Sequence, residues 1–457
     1  MPTSEAAIVN MVENQRAYFA TGATRPLDSR LNLLRQLQTC IRDKEEDIHE
    51  ALYKDLHKSP GEAYLTETGI VLHELRHMIR HLPSYAKPTR VRTGLGQFPG
   101  KSFLSPEPYG VTLIMSPWNY PFQLTLVPLI GAIAAGNCAV IKPSADARHT
   151  AAIITDILQS VFPAGHVAVV QGGRAENTAL LAQRFDYIFF TGSVQVGKVV
   201  MRAAADHLTP VTLELGGKSP VIVDETADLG LAARRIAFGK LLNAGQTCVA
   251  PDYLLVQDSV KERLVSLLKQ EIKAMTGDGD LLAHIVSEKH AARLHALLAN
   301  EQKVWGGGIQ GLRMDPAIVE LNHLDSPLMQ EEIFGPILPV LAVRNLDEAI
   351  QVVTSFEKPL ALYLFSREKA HQKKVLDSLS FGGGCINDTV LHYSNIHLPF
   401  GGVGHSGMGS YHGKRSFDTF SHSRGILKRH PWPDIPARYL PYTALKIKKK
   451  LTRLILR

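Results

Sequence analysis

Residues 111–142 read VTLIMSPWNYPFQLTLVPLIGAIAAGNCAVIK. Val111–Met115 is a short apolar, partly β-branched run and predicts a strand; Cys138–Ile141 predicts a second. Leu124–Ala135, between them, is long enough for a helix and apolar on every side. A strand, a helix and a strand in so short a space form a βαβ unit, in which the crossover helix lets the two strands lie parallel. Outward from this unit the alternation continues. Thr150–Val161 predicts a helix, and Val167–Val170 and Tyr187–Phe190 predict strands. The pattern restarts after Leu213, with strands at Val221–Val223 and Tyr253–Val256 and a helix through Leu242 between them. The expected fold class is therefore α/β, with two parallel-sheet domains that change over near Glu214. Upstream, Leu31, Leu34, Leu37, Ile41 and Ile48 recur at helical spacing. A further helix is expected from about Glu62 to Leu82, stopped by Pro83. Pro88–Pro108, rich in proline, glycine and basic residues, predicts an extended arm.

A chain of 457 residues is too long for one ordinary core. Its four cysteines, Cys40, Cys138, Cys248 and Cys385, include no Cys-x-x-Cys pair and are too few for a disulfide framework, so a reducing compartment is expected. The N-terminus has no signal-peptide pattern, and no apolar run is long enough to span a bilayer. The net charge of +7 equals the seven cations Arg438, Lys446, Lys448, Lys449, Lys450, Arg453 and Arg457 of the C-terminal tail. The basicity thus belongs to the tail, and no nucleic-acid groove is expected in the body.

Four segments carry residues suited to chemistry. Cys248 sits in Asn243-Ala244-Gly245-Gln246-Thr247-Cys248, a small polar loop in which a thiolate could attack an electrophilic carbon; a plain buried cysteine is the alternative. Glu214, inside the apolar run Leu213–Leu215, is expensive to bury. It is either a salt-bridge partner of Lys218 or a general base whose pKa burial raises. Asn119, in Ser116-Pro117-Trp118-Asn119-Tyr120-Pro121, lies at the C-terminal end of a predicted parallel strand, where open α/β sheets bind ligands. Its amide could stabilise an oxyanion, or it could simply form an Asx-turn. Gly192-Ser193-Val194-Gln195-Val196-Gly197 joins a strand to a helix whose N-terminus suits a pyrophosphate, unless it is an ordinary βα turn.

These segments, together with Gln330-Glu331-Glu332-Ile333-Phe334-Gly335-Pro336 and Pro399-Phe400-Gly401-Gly402, occur in the order seen in aldehyde dehydrogenases. The chain resembles that family over about its first 430 residues. The short N-terminus and Gly407-Met408-Gly409-Ser410-Tyr411-His412-Gly413-Lys414 resemble its class 3 branch, which includes fatty aldehyde and coniferyl aldehyde enzymes. The resemblance implies an aldehyde dehydrogenase-like fold. A Rossmann-like cofactor domain would span 1–87 and 109–213, and an α/β catalytic domain 214–395. An oligomerisation arm and C-terminal segment would span 88–108 and 417–440, and a basic tail 441–457. It implies that Cys248 is the nucleophile, that Asn119 and the Cys248 N–H hold the oxyanion, and that Glu214 activates the hydrolytic water. NAD and/or NADP would be held by Ser116, Trp118, Lys142, Gly192, Ser193, Gly197, Leu215, Gly216, Glu332 and Phe334. Tyr64 and Tyr120 would line a channel for an apolar aliphatic or aromatic aldehyde, with plain core packing as the alternative. Glu214 favours hydrolysis over transfer to coenzyme A. The resemblance further implies a homodimer.

One departure bears on the cofactor. NAD-dependent relatives carry glutamate three residues after the lysine, where this chain has Ala145, so NADP is expected to be accepted. Two rival readings come from other classes: a zinc metallohydrolase through His73, Glu74 and His77 of a His-Glu-x-x-His motif, and a catalytically silent scaffold. Gly402-Val403-Gly404-His405-Ser406-Gly407 spells a dinucleotide fingerprint but comes after no long strand, and reads as a loop lining the cleft. In the tail, Ala444, Ile447, Leu451, Leu454 and Ile455 share one helical face and five cations another, a pattern for lying on an anionic membrane surface. A cytoplasmic enzyme is expected, with peripheral membrane contact through this tail as the second option.

Overall fold

Every residue of Val111–Met115, Cys138–Lys142 and Tyr187–Thr191 is buried, as a strand covered on both faces requires. In the computed structural model, which describes residues 2–94, 97–277 and 282–432, these strands form the middle of a parallel sheet. Its order is Gly407–Met408, Val211–Glu214, Tyr187–Thr191, Val111–Met115, Cys138–Lys142, Val167–Val169. Neighbours are parallel except at the outer edge, where Gly407 pairs antiparallel with Glu214. The helix Gln123–Ala135 is buried at every position, which explains why it shows no polar stripe. It ends at Gly136, whose φ of +96° suits glycine.

Between Glu214 and Pro220 the chain leaves this sheet and enters a second. That sheet runs Val304–Gly306, Ala317–Leu321, Ile337–Val343, Tyr253–Gln257, Pro220–Val223, Ala361–Phe365, Gly383–Ile386. It is parallel apart from its first pair. The segment expected to be an extended arm forms two strands, Thr89–Val91 and Gly100–Pro108. Ser421–Arg429 pairs with the second of them from Ser421 opposite Pro108 to Arg429 opposite Gly100. Leu104, Ile426 and Leu427 stand exposed on this antiparallel sheet.

The helix expected from Glu62 to Leu82 is different in two ways. It consists of Pro60–Ala63, a π-helical turn Tyr64–Thr68, and an α-helix Gly69–Tyr85. Pro83 does not stop it. Proline there removes one N–H in the last turn, and the Ala86 N–H still closes onto Leu82 O. The tail 441–457 and residues 433–440 of the expected C-terminal segment lie outside the described residues.

Candidate active site

Cys248 comes after a chain reversal that few sequences tolerate. Asn243, Ala244 and Gly245 have φ of 52°, 50° and 72°, and each non-glycine residue there costs about 1–2 kcal/mol. Side-chain bonds hold the reversal. The Asn243 N–H donates to Glu62 Oε1 at 2.6 Å, and Asn243 Nδ2 donates to the Asn119 and Gln246 carbonyls at 2.8 and 3.1 Å. Gln246 Nε2 donates to His284 O at 2.9 Å, and its Oε1 accepts from the Val286 N–H at 3.0 Å. Gly245 lets the loop touch the Glu332–Pro336 segment, since a Cβ there would lie 2.2 Å from Gly335 O. Cys248 ends up half-buried on a cavity wall. Burial, reinforced by the nearby Glu332 and Glu214 charges, pushes its thiol up to about 12, while the Cys248 and Val249 N–H groups pull the other way. Burial thus favours the thiol over the thiolate, and attack by this sulfur calls for a proton acceptor.

Glu214 ends the strand Val211–Glu214, is buried, and neither carboxylate oxygen has a hydrogen-bond partner among the described residues. The alternative of a salt bridge to Lys218 fails. Lys218 pairs with Asp252 and donates to Leu328 O and Glu331 O at 2.8 and 2.9 Å. Burial without compensation holds the Glu214 carboxyl well above the usual carboxylate range. Asn119 is buried too, and its side chain crosses to the cysteine loop, Nδ2 donating to Gln246 O at 3.0 Å. A carboxamide has a second N–H for another acceptor.

The remaining expected residues gather at the C-terminal ends of the first sheet's strands. Lys142 is buried and donates to Pro143 O at 2.8 Å, and desolvation lowers its pKa to about 8. An ammonium has three protons, so this one can take further oxygen acceptors. Ser193 caps the helix Val194–Ala205. Gly197 lets that helix approach Leu215, whose side chain would lie 2.7 Å from a Cβ. Gly192 comes after Thr191, whose buried hydroxyl has no partner among the described residues. Gly216 meets the Glu332 carboxylate, 2.0 Å from where a Cβ would stand. Burial and the Asp252 charge raise Glu332 to about 8, against the Gly217 N–H and Lys218. Phe334 has φ of 51° and sits edge-on to Trp118 at 5.4 Å. Ser116 bonds Thr125 Oγ1 at 2.6 Å. Unpartnered acceptors, a cation with spare protons and glycine-lined close approaches fit a dinucleotide.

Cys248 opens on a cavity of about 200 Å³ lined by Leu65, Ile70, Tyr120, Leu124, Phe238, Leu242, Val390, Leu391 and Tyr393, among others. Tyr120 lines it as expected and bonds Thr247 Oγ1 at 2.5 Å. Tyr64 does not line this cavity. It is 48% exposed, and the π turn presents its neighbour Leu65 to the cavity instead. The metallohydrolase reading has no support in the geometry. Glu74 is buried and accepts from the Gly413 N–H at 2.8 Å. His77 bonds Tyr85 at 2.9 Å, and His73 is exposed. Among the described residues no three His, Cys, Asp or Glu side chains converge as a metal cage. Residues 402–406 form a loop and a 3₁₀ turn leading into the edge strand at Gly407, with no βαβ unit, and Ser406 O accepts from the Leu215 N–H beside Glu214. Sequence reasoning missed Lys58, Glu62 and Glu67, whose partners are distant in sequence, and the structural roles of Asn243 and Gln246.

The profile of the Aldehyde dehydrogenase family matches residues 2–426. A 4,4'-diaponeurosporen-aldehyde dehydrogenase of Staphylococcus aureus is 48% identical over 431 residues, covering 92% of this chain and 94% of that one. A dimeric NADP-preferring aldehyde dehydrogenase of Canis lupus familiaris is 44% identical over 454 residues, covering 98% and 99%. A solved structure described as the substrate-bound state of Staphylococcus aureus AldH superposes with a TM-score of 0.96 at 45% identity, covering 98% and 99%. With Asn119 bonded to the Cys248 loop and the Glu214 charge felt at its sulfur, these likenesses leave one conclusion: the chain belongs to the aldehyde dehydrogenase family, in its class 3 branch, and is an NAD(P)-dependent oxidoreductase acting on aldehydes.

Proposed function

We propose that the chain oxidises apolar aldehydes to carboxylic acids through a covalent thioester on Cys248. The observation that carries this reading is Cys248 opening on an apolar cavity with the unpartnered Glu214 carboxylate close enough to influence its ionisation. The thiol passes its proton to the neighbouring Glu332 carboxylate, and the sulfur adds to the aldehyde carbon. The second Asn119 N–H and the Cys248 N–H receive the resulting oxyanion. The nicotinamide, when bound, supplies the hydride acceptor. Its dinucleotide would be held by Ser116, Trp118, Lys142, Gly192, Ser193, Gly197, Leu215, Gly216, Glu332 and Phe334. The thioester left on Cys248 is attacked by water whose proton Glu214 takes, releasing the acid and the free thiol.

Ala145 is exposed beside the buried Lys142. With no carboxylate at that position to repel a 2′-phosphate, both NAD and NADP serve, in keeping with the NADP-preferring relative. One experiment tests cavity and cofactor together: initial rates with NAD and with NADP across aldehydes of graded chain length. Rates per KM rise with apolar length by roughly 3- to 4-fold per buried methylene, the equivalent of about 0.8 kcal/mol, until the cavity is filled. Ala145→Glu moves preference towards NAD. No measurable rate with NADP in the wild type overturns the cofactor reading, and a flat length profile overturns the apolar one.

The assembly we propose is a homodimer in which the exposed antiparallel arm reaches the second copy, since two-fold closure is the commonest arrangement. The enzyme is cytoplasmic, with the basic tail able to rest on anionic membrane. Light scattering giving a dimer mass, and liposome sedimentation that vanishes on truncation after Pro441, are the expected results. A monomer mass, or equal pelleting of both proteins, overturns the respective reading.

A further inference from the structure

Lys58 and Glu67 form an ion pair at 2.6 Å with both side chains fully shielded from solvent. Replacing such a pair with apolar side chains is often neutral or stabilising, so its presence asks for a reason other than stability. The remaining contacts supply one. Lys58 Nζ also donates to the backbone carbonyl of Asn119 at 2.9 Å and stands 4.1 Å from the Tyr120 ring centroid. Glu67 Oε2 accepts from the Gln123 N–H at 2.9 Å. The pair thus grips the turn 119–123 from both ends, cation on its first carbonyl and anion on its last amide.

That turn carries the Asn119 carboxamide and Tyr120, which together bond the cysteine loop at Gln246 O and Thr247 Oγ1. Glu67 belongs to the π-helical turn Tyr64–Thr68, where the Gly69 N–H returns to Tyr64 O. A Cβ at Gly69 would lie 2.5 Å from that oxygen. The inserted residue of a π turn rotates the helix downstream of it, and such turns gather at functional sites. We infer that Lys58 and Glu67 are positioning residues that hold Asn119 against the Cys248 loop, so that its amide meets the oxyanion as the thiohemiacetal forms. Neither side chain touches the reacting atoms. The inference rests on Asn119 being the oxyanion donor.

The test compares Lys58→Met, the double variant Lys58→Met with Glu67→Met, and Asn119→Ala. Three readouts are used on the full chain: the single-turnover rate of NAD(P)H formation, alkylation of Cys248 by iodoacetamide, and the thermal midpoint. Lys58→Met strands a buried carboxylate and is expected to lose stability; the double variant removes that charge and recovers the midpoint. The single-turnover rate is expected to fall about 100-fold in both, as when an oxyanion donor is misplaced. Alkylation, which forms no oxyanion, stays within about 2-fold of wild type. A double variant with the wild-type single-turnover rate overturns the inference, because the pair would then serve stability alone. Alkylation falling in step with turnover overturns it too, because the lesion would lie in the cysteine loop. If Asn119→Ala keeps the wild-type rate, the oxyanion reading itself fails. If Asn119→Ala falls while the double variant does not, only the positioning role fails.

Discussion

Cys248→Ala is expected to lower steady NAD(P)H formation by on the order of 10⁶-fold with every aldehyde, the scale of loss when a covalent nucleophile is deleted. No other thiol can substitute. Among the described residues Cys138 is buried in the first sheet, Cys40 lies beside Ser160, and Cys385 faces His392. The fold tolerates the change, because the reversal before Cys248 is held by Asn243 and Gln246 rather than by the sulfur. The measurement is a steady-state assay paired with a thermal midpoint. Turnover above about 1% of wild type in a normally folded variant is incompatible with a thioester on this residue.

Glu214→Gln separates the two halves of the reaction. Hydride transfer precedes hydrolysis, so stopped flow is expected to show one equivalent of NAD(P)H formed rapidly, then a steady rate lower by about 10²- to 10⁴-fold, the usual worth of a general base. The pH dependence carries an independent sign. Glu214 acts as a base only when ionised, and burial raises its pKa. Wild-type deacylation therefore falls as the medium is acidified through a range above that of ordinary carboxylates, and the glutamine variant lacks this limb. A glutamine variant turning over like wild type, or keeping the acid limb in deacylation, would remove Glu214 from the role.

The features legible in the sequence are those that depend on near neighbours. Val111–Met115 and Cys138–Lys142 announce parallel strands because both faces are covered and nearly every position is apolar. The loop around Cys248 announces itself by small polar residues in a place unsuited to a core. The arm strand Ser421–Arg429 is not legible, since its partner lies more than three hundred residues earlier. Most strands of the second sheet also escape sequence reading, among them Ala317–Leu321 and Gly383–Ile386. Two others, Ile337–Val343 and Ala361–Phe365, pair with strands remote in sequence, Tyr253–Gln257 and Pro220–Val223. Tyr64, placed in the channel by resemblance, stands exposed on a π turn that no local pattern signals, and Leu65 lines the cavity beside it. Lys58 looks like any surface lysine, and only its carbonyl partner 61 residues away makes it part of the site.

The strand that ends in Glu214 is completed on its outer edge by Gly407 and Met408. Glu214 thus gains its dry setting only when a segment nearly two hundred residues later has been added. During synthesis Cys248 leaves the ribosome well before that edge exists. Through that interval the site has neither Glu214 in its dry setting nor the segment around Glu332 beside the sulfur. Chemical competence therefore arrives only with the finished fold, however early the sulfur itself has been made.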